Sequence, residues 1–201
     1  MFPSINRFII YLIYANLFFE AGFGLIAPVF AVFIIDGLIG ATLATVGFAT
    51  ALYWVPKAVF QIFVARYLDK TQGEKDDFYA LVVGHIILAF VPFLYLFIRT
   101  PDQLYLVQMI MAVGGALAMP PWFAMFTKHI DKSRENYEWS INSSLSFGLG
   151  AGVLGAVGGI IAKYYGFDAV FVVAGAFAIA SAMLLLPLYK YLSLTAPRGL
   201  E

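Results

Sequence analysis

The chain has 201 residues, of which 62% are hydrophobic, 17% aromatic and only 12% charged. Soluble domains usually carry about a quarter charged residues, so the composition excludes an ordinary water-soluble domain. Twelve basic and twelve acidic residues leave no positive excess, which argues against nucleic acid as a partner. Cysteine is absent, which excludes disulfides and thiolate chemistry. The two histidines, His85 and His129, lie far apart without ligand-like spacing, so we expect no metal site and no cofactor.

Six stretches of about twenty or more residues are nearly free of charge, and each is long enough to cross about 30 Å of hydrocarbon. The predicted helices span about 8–35, 41–64, 78–98, 104–126, 137–162 and 169–188. The first is too long for a signal-peptide core and lacks a small-residue cleavage pattern, so we predict that it is retained. The predicted fold class is an all-α membrane protein, with residues 1–201 forming one six-helix transmembrane domain.

The basic residues fall mostly on one side of the predicted membrane domain. That side carries nine, namely Arg7, Arg66, Lys70, Lys75, Lys128, Lys132, Arg134, Lys190 and Arg198. The other side carries only Arg99 and Lys163. Because cytoplasmic loops retain Lys and Arg, both termini are predicted to be cytoplasmic, in an integral protein of the plasma (inner) membrane.

The loop between the second and third predicted helices has the sequence ARYLDKTQGEK at 65–75. It resembles motif A of the major facilitator superfamily, roughly Gly-x-Leu-Ala-Asp-Arg-x-Gly-Arg-Lys, with Asp69 and Lys70 at the Asp-Arg positions. Gly73 comes one residue later than the consensus glycine. The resemblance implies a conformational latch of Asp69, Lys70, Gly73 and Arg134, in which Asp69 caps and pairs with neighbouring helix ends. A carboxylate suits such a cap, because it meets unpaired backbone N–H groups and the positive end of the helix dipole.

Further stretches resemble motifs of the superfamily and occur in the same order along the chain. GGALAMP at 114–120 resembles the glycine-rich pattern of its fourth helix, without the usual arginine, and 131–134 resembles the loop that follows. LGAVGG at 154–159 is similar to the antiporter motif without its proline, and GFDAVF at 166–171 resembles the entry to the sixth helix. The resemblance covers the whole chain but only half of the usual twelve helices, like an N-terminal half. It implies a transporter, and since no hydrolase or metalloprotease motif is present, we predict that the protein is not an enzyme.

Glu20 is the costliest residue of the sequence, because a carboxylate at mid-bilayer depth costs about 2.5–3.5 kcal/mol. Counted from Arg7 and Arg66, Glu20 and Lys57 lie about 20 Å and 14 Å from the basic side, at similar depth. We interpret them as a pair lining a polar cavity, with Glu20 binding and releasing a proton during transport. The alternatives are a structural buried ion pair and a Lys57 side chain that snorkels to the surface.

Other polar residues extend this predicted substrate pathway. Asn16 shares a helix face with Glu20, and Tyr53 and Gln61 share one with Lys57, at i, i+4 spacing. The resemblance places the first, second, fourth and fifth helices around the pathway. The predicted pathway residues are Asn16, Glu20, Tyr53, Lys57, Gln61, Gln108, Trp122, Asn142 and Ser146. For the amides and the serine the alternative is an interhelical hydrogen bond without contact to substrate.

Six helices enclose only one wall of a pathway that lies between two halves in this superfamily. We therefore predict a parallel homodimer with the second and fifth predicted helices at its interface. It would act as a secondary transporter of a small solute by alternating access, with the lipid bilayer, its substrate and protons as partners. One acid per protomer suits a neutral or cationic solute. Alternatives are half of a heterodimeric or longer twelve-helix transporter, and a non-transporting scaffold or receptor with the same fold.

The fifth helix also carries glycines that indicate close packing, at Gly148, Gly150, Gly152, Gly155, Gly158 and Gly159.

Overall fold

A computed structural model describes residues 5–71 and 73–192 of the chain. The regular structure of these residues is entirely helical. The elements are α1 (Arg7–Ile26), α2 (Phe30–Gly37), α3 (Leu43–Lys70), α4 (Glu74–Tyr95), α5 (Pro101–His129), α6 (Glu135–Ser143), a π-helical segment (Ser144–Val153), α7 (Leu154–Leu185) and a 3₁₀ turn (Leu186–Tyr191). Gln72 of the predicted latch loop and Arg198 of the predicted basic side lie outside the described residues.

Six helical crossings are built from these elements. The first consists of α1 and α2, and α3, α4 and α5 make the next three. The long continuous stretch from α6 through α7 contains one residue with non-helical backbone, Gly166 at φ 82° and ψ 173°. Positive φ is a conformation that glycine adopts at little cost, so the chain turns there and α7 supplies parts of two crossings. Among the described residues five helical stretches are long and apolar enough to cross a membrane, and the longest, Glu135–Tyr191, is divided at Gly166, so the predicted all-α fold with six helices is confirmed.

The first crossing is interrupted, whereas the sequence predicted an unbroken helix over 8–35. α1 ends at Ile26, a turn follows over 27–29, and α2 begins at Phe30. Pro28 lies in this turn, where its missing N–H removes a helical hydrogen bond and its ring disfavours a continuous helix. The prediction of one uninterrupted first helix is therefore corrected.

Two other helices begin at threonine caps. The side chains of Thr42 and Thr100 bond the third residue of α3 and α5, and the side chains of Thr45 and Gln103 bond back to the cap. These reciprocal bonds satisfy backbone N–H groups that a helix start leaves open. As a result α5 begins at Pro101 rather than near 104. At its other end α3 continues to Lys70, whereas the sequence predicted an end near 64.

The helices pack unevenly. α1 lies along α7 and the π-helical segment, α4 packs on α5 and α7, and α3 packs along α5. One buried cluster includes Phe8, Leu12 and Phe126, and the other includes Leu25, Leu104 and Phe171. We call the end of the bundle that carries Arg7, Lys70 and His129 the basic end. α3 is the least covered helix, because it makes extensive contact with α5 alone.

Glycines on the fifth crossing allow α1 to approach closely. A Cβ placed on Gly158 would lie only 2.0 Å from the carbonyl oxygen of Leu25, and one on Gly150 would lie 3.1 Å from that of Leu17. The predicted role in close packing is thus confirmed for Gly150 and Gly158. It is not confirmed for Gly148 and Gly159, where a Cβ would meet no atom within 4 Å.

Candidate functional site

Lys57 is a buried cation on the least covered helix. Only 4% of its surface is exposed. Its Nζ lies 4.5 Å from the ring centroid of Trp54 and 5.2 Å from that of Tyr53, distances at which an aromatic face attracts a cation. Its alkyl chain runs over α5 at Gly115, where a Cβ would lie 3.3 Å from both Cδ and Cε. Gly115 therefore leaves the space that the lysine side chain fills.

Glu20 is half-buried on α1, on the opposite side of a gap from Lys57. α1 and α3 both contact α5 but do not pack along each other, which leaves the gap between them. The two charges interact electrostatically, yet among the described residues Lys57 forms no ion pair within 4.0 Å. The structure thus brings the predicted pair to one place without joining it. The roles of Glu20 and Lys57, in transport or as a structural pair, stay predictions.

Asn16, Asn142 and Ser146 form one hydrogen-bonded cluster beside this gap. The Nδ2 of Asn16 donates to the Oδ1 of Asn142 over 3.2 Å and to the Oγ of Ser146 over 3.0 Å. The hydroxyl of Ser146 lies 3.4 Å from the Oδ1 of Asn142 and donates to it. These bonds join α1 to α6 and the π-helical segment. The interhelical role that the sequence left open is therefore present for all three side chains.

Gln108 and Trp122 are buried on α5, and their hydrogen-bond and ring partners are residues other than Glu20 and Lys57. The Nε2 of Gln108 donates to the hydroxyl of Tyr95 over 3.2 Å, inside the contact between α5 and α4. Trp122 is 6% exposed and stacks on Phe126, with ring centroids 5.0 Å apart, and its Nε1 has no hydrogen-bond partner in the described part of the chain. Gln61 is half-buried on α3, one turn from Lys57. The predicted place of these three residues on the pathway stays a prediction.

Three of the predicted latch residues, Asp69, Lys70 and Gly73, lie between the last turn of α3 and the start of α4. Asp69 and Lys70 are exposed in the last turn of α3, so Asp69 does not cap the start of a helix. Within residues 5–71 and 73–192 no hydrogen bond or ion pair of Asp69 is present. The residues at the helix caps are Gly73, before α4, and Arg134, before α6. The latch role of Asp69 therefore stays a prediction.

One ionic contact at the basic end is made by Glu74, which the sequence interpretation overlooked. Glu74 is 2% exposed, forms an ion pair with Lys128, and lies 3.7 Å from the Nε2 of His129, whose ring stacks on Phe8. It joins the first turn of α4 to the last turn of α5. An acid in a first turn and bases in a last turn complement the two helix dipoles, and that signal could have identified the contact.

Charged residues in a gap between membrane-spanning helices are typical of proteins that move solutes across the bilayer. A family model of the Major Facilitator Superfamily matches residues 12–199, nearly the whole chain. The chain belongs to this superfamily, which places it among transporters rather than enzymes, as the sequence predicted.

One solved structure similar to the chain is that of the POT family transporter PepTSo, determined in meso. The two superpose with a TM-score of 0.75 at 14% sequence identity, over 99% of this chain and 40% of that chain. At this identity the likeness is one of fold. The chain thus spans less than half the length of that transporter. A comparison with curated proteins finds no match.

Proposed function

We propose that the protein is a secondary active transporter of a small solute, in which two six-helix units enclose one pathway and open it alternately to each side of the membrane. The observation that carries the proposal is the gap where Glu20 faces buried Lys57. Charges at membrane depth are stable where they line a hydrated cavity or pair with each other, and they mark solute or ion pathways. Membership of a transporter superfamily supports the same conclusion.

A second unit is needed because lipid hydrocarbon does not solvate the charged groups in this gap. α3 and the π-helical segment flank α1 on its two sides, and both carry large exposed apolar side chains. They include Phe48, Val55, Ile62, Phe63, Phe147, Leu149 and Val153. We assign these two rims to the interface of a parallel homodimer whose twofold axis runs along the membrane normal through the pathway. A non-identical six-helix unit on the same rims is the alternative assembly.

The orientation that we propose places the basic end in the cytoplasm of a cell whose inner membrane holds the protein. Phe8 and Tyr191 support one part of this proposal, since their rings are 6.5 Å apart and both ends of the described bundle therefore lie on one side. The excess of Lys and Arg at that side supports the other part. Coupling to protons is assigned to Glu20.

Cross-linking tests the assembly cleanly because the chain has no cysteine of its own. Phe48→Cys, Val55→Cys and Ile62→Cys place one thiol each along the exposed face of α3, at heptad spacing. We expect oxidation to give covalent dimers for at least one of them, because equivalent residues approach each other near a twofold axis. Val172→Cys and Ile179→Cys, exposed on the sixth crossing, are matched controls that should stay monomeric.

Flux and native mass complete this test. We expect reconstituted protein to move a solute identified by thermal-shift screening, and its native mass in mild detergent to be that of two chains. A monomer mass under conditions that preserve transport would reject the homodimer. A complex with a second polypeptide would support the alternative assembly, and a folded protein without flux for any stabilising solute would support a scaffold or receptor.

The latch is proposed to act between units, since Asp69 is exposed and unpaired within the described chain. We expect Asp69→Asn to reduce flux several-fold without lowering the unfolding temperature, because it removes a carboxylate that caps or pairs with the other unit in one conformation only. Glu74→Gln is the contrasting variant. It breaks a buried ion pair inside one chain and should lower the unfolding temperature. Wild-type flux in Asp69→Asn would count against the latch.

A further inference from the structure

The ammonium group of Lys57 has donors that no ion pair among the described residues uses. An ammonium group carries three hydrogen-bond donors, and leaving them unmatched in a buried position is costly. In the described residues Lys57 has no ion-pair partner within 4.0 Å, and its neighbours include the ring faces of Tyr53 and Trp54 and the backbone at Gly115. Aromatic faces attract a cation but accept no strong hydrogen bond. The side chain is thus 96% buried and still has donors for a further partner, since only 4% is exposed.

The surroundings of Lys57 suit an anion that carries an apolar body. Trp54 is 56% exposed although it lies against the ammonium group, so much of its ring remains available to a second molecule. Tyr53 lies beside Trp54, with ring centroids 4.9 Å apart, and the facing helix α5 approaches Lys57 at Gly115. A carboxylate would accept hydrogen bonds from Lys57 while an adjoining ring or alkyl group packs on Trp54.

From this geometry we infer that Lys57 binds the anionic end of the solute, so that the gap takes small organic carboxylates with an apolar body. The inference deepens the proposed function and rests on it for the role of the bound molecule as cargo. It reverses the charge suggested by counting acids in the sequence, because the unpaired buried group is the lysine. A cationic solute would be repelled by the positive charge of Lys57, which has few polar partners in the gap.

Glu20 makes the binding of an anion conditional. A ligand carboxylate beside Lys57 also faces Glu20 across the gap, and two like charges near one cation repel each other. The ligand carboxylate and Glu20 can both lie near Lys57 when Glu20 is protonated and therefore neutral. Occupation of Lys57 by an anion and protonation of Glu20 therefore support each other, which links this site to the proposed coupling.

Three ring compounds of similar shape test the charge preference: benzoate, benzamide and benzylamine, which are anionic, neutral and cationic at neutral pH. Binding is measured by equilibrium dialysis of radiolabelled probe against purified protein in detergent, without a membrane gradient. We expect benzoate to bind best. Lys57→Gln should weaken benzoate binding about 30-fold or more, because it removes one partner of a buried charge pair. The same variant should leave the binding of benzamide unchanged. Lys57→Arg keeps the charge and should retain most of the binding.

Lys163→Gln is the matched control. Lys163 also lies over a tyrosine ring, 5.2 Å from the centroid of Tyr164, but it is exposed and far from the gap. Benzoate binding should be unaffected in Lys163→Gln.

Benzoate binding that is undetectable, or equal in the wild type and a folded Lys57→Gln variant, overturns the inference, as does a preference for benzylamine. Flux separates this inference from the proposed function: transport without Lys57-dependent binding refutes the anion site alone, and Lys57-dependent binding without any transport refutes the proposed transporter and keeps the site.

Discussion

Gly158→Ala is expected to destabilise the bundle strongly, while the same change at the neighbouring Gly159 is expected to have little effect. A Cβ on Gly158 would lie 2.0 Å from the carbonyl oxygen of Leu25 and 2.7 Å from its carbonyl carbon. Those atoms belong to the backbone of α1, so no side chain can rotate away and the helices must separate. Overpacking of this kind costs about 1–3 kcal/mol and sometimes more.

The measurement is the unfolding temperature of each variant in detergent. For a chain of this size about 2–4 °C is lost per kcal/mol, so we expect a fall of about 5–10 °C for Gly158→Ala. Gly159→Ala adds a methyl group where no atom lies within 4 Å, and alanine is the better helix former. Its unfolding temperature should stay the same or rise. Equal losses in both variants would show that close contact with α1 is not what Gly158 provides.

The number of crossings could be predicted from the sequence, because the length of an apolar stretch depends only on the helical rise and the bilayer thickness. The interruption at Pro28 could not. Proline is tolerated within membrane-spanning helices when neighbours satisfy the freed backbone groups, and Pro56 lies inside an unbroken α3. Whether a proline ends a helix therefore depends on packing that the sequence does not show.

The depth of Glu20 and Lys57 could be predicted for the same reason, since it needs only the rise per residue. The direction in which each side chain points around its helix axis could be predicted less well than its depth. Gln108 bonds to Tyr95 on α4 instead of facing the gap. The π-helical segment adds to this difficulty, because its wider turn rotates the following residues away from the positions that a 3.6-residue period gives. Glu74 was overlooked because its charge was counted with a loop, whereas it begins α4.

The proposed coupling predicts that Glu20→Gln keeps solute exchange but loses accumulation driven by a proton gradient. Glutamine has nearly the same shape as glutamate and cannot take up or release a proton. Desolvation favours the neutral form of a carboxyl group and a nearby cation favours its charged form. Glu20 is half-buried and interacts with Lys57 across the gap without touching it. A motion that hydrates the gap, or changes the separation of these charges, would therefore change the proton occupancy of Glu20.

Two copies of Glu20 would face one pathway in the proposed homodimer, and their repulsion would couple the two protonation events. Proteoliposomes separate coupling from exchange, since counterflow of solute needs no gradient and accumulation does. Glu138→Gln is the matched control. Glu138 is fully buried and accepts a hydrogen bond from the backbone N–H of Asp131 over 3.3 Å, but it lies at the basic end and outside the gap. It should still accumulate solute when a proton gradient is imposed. If Glu20→Gln liposomes also accumulate solute, Glu20 is not the coupling group, and its role is to balance the charge of Lys57 within the bundle.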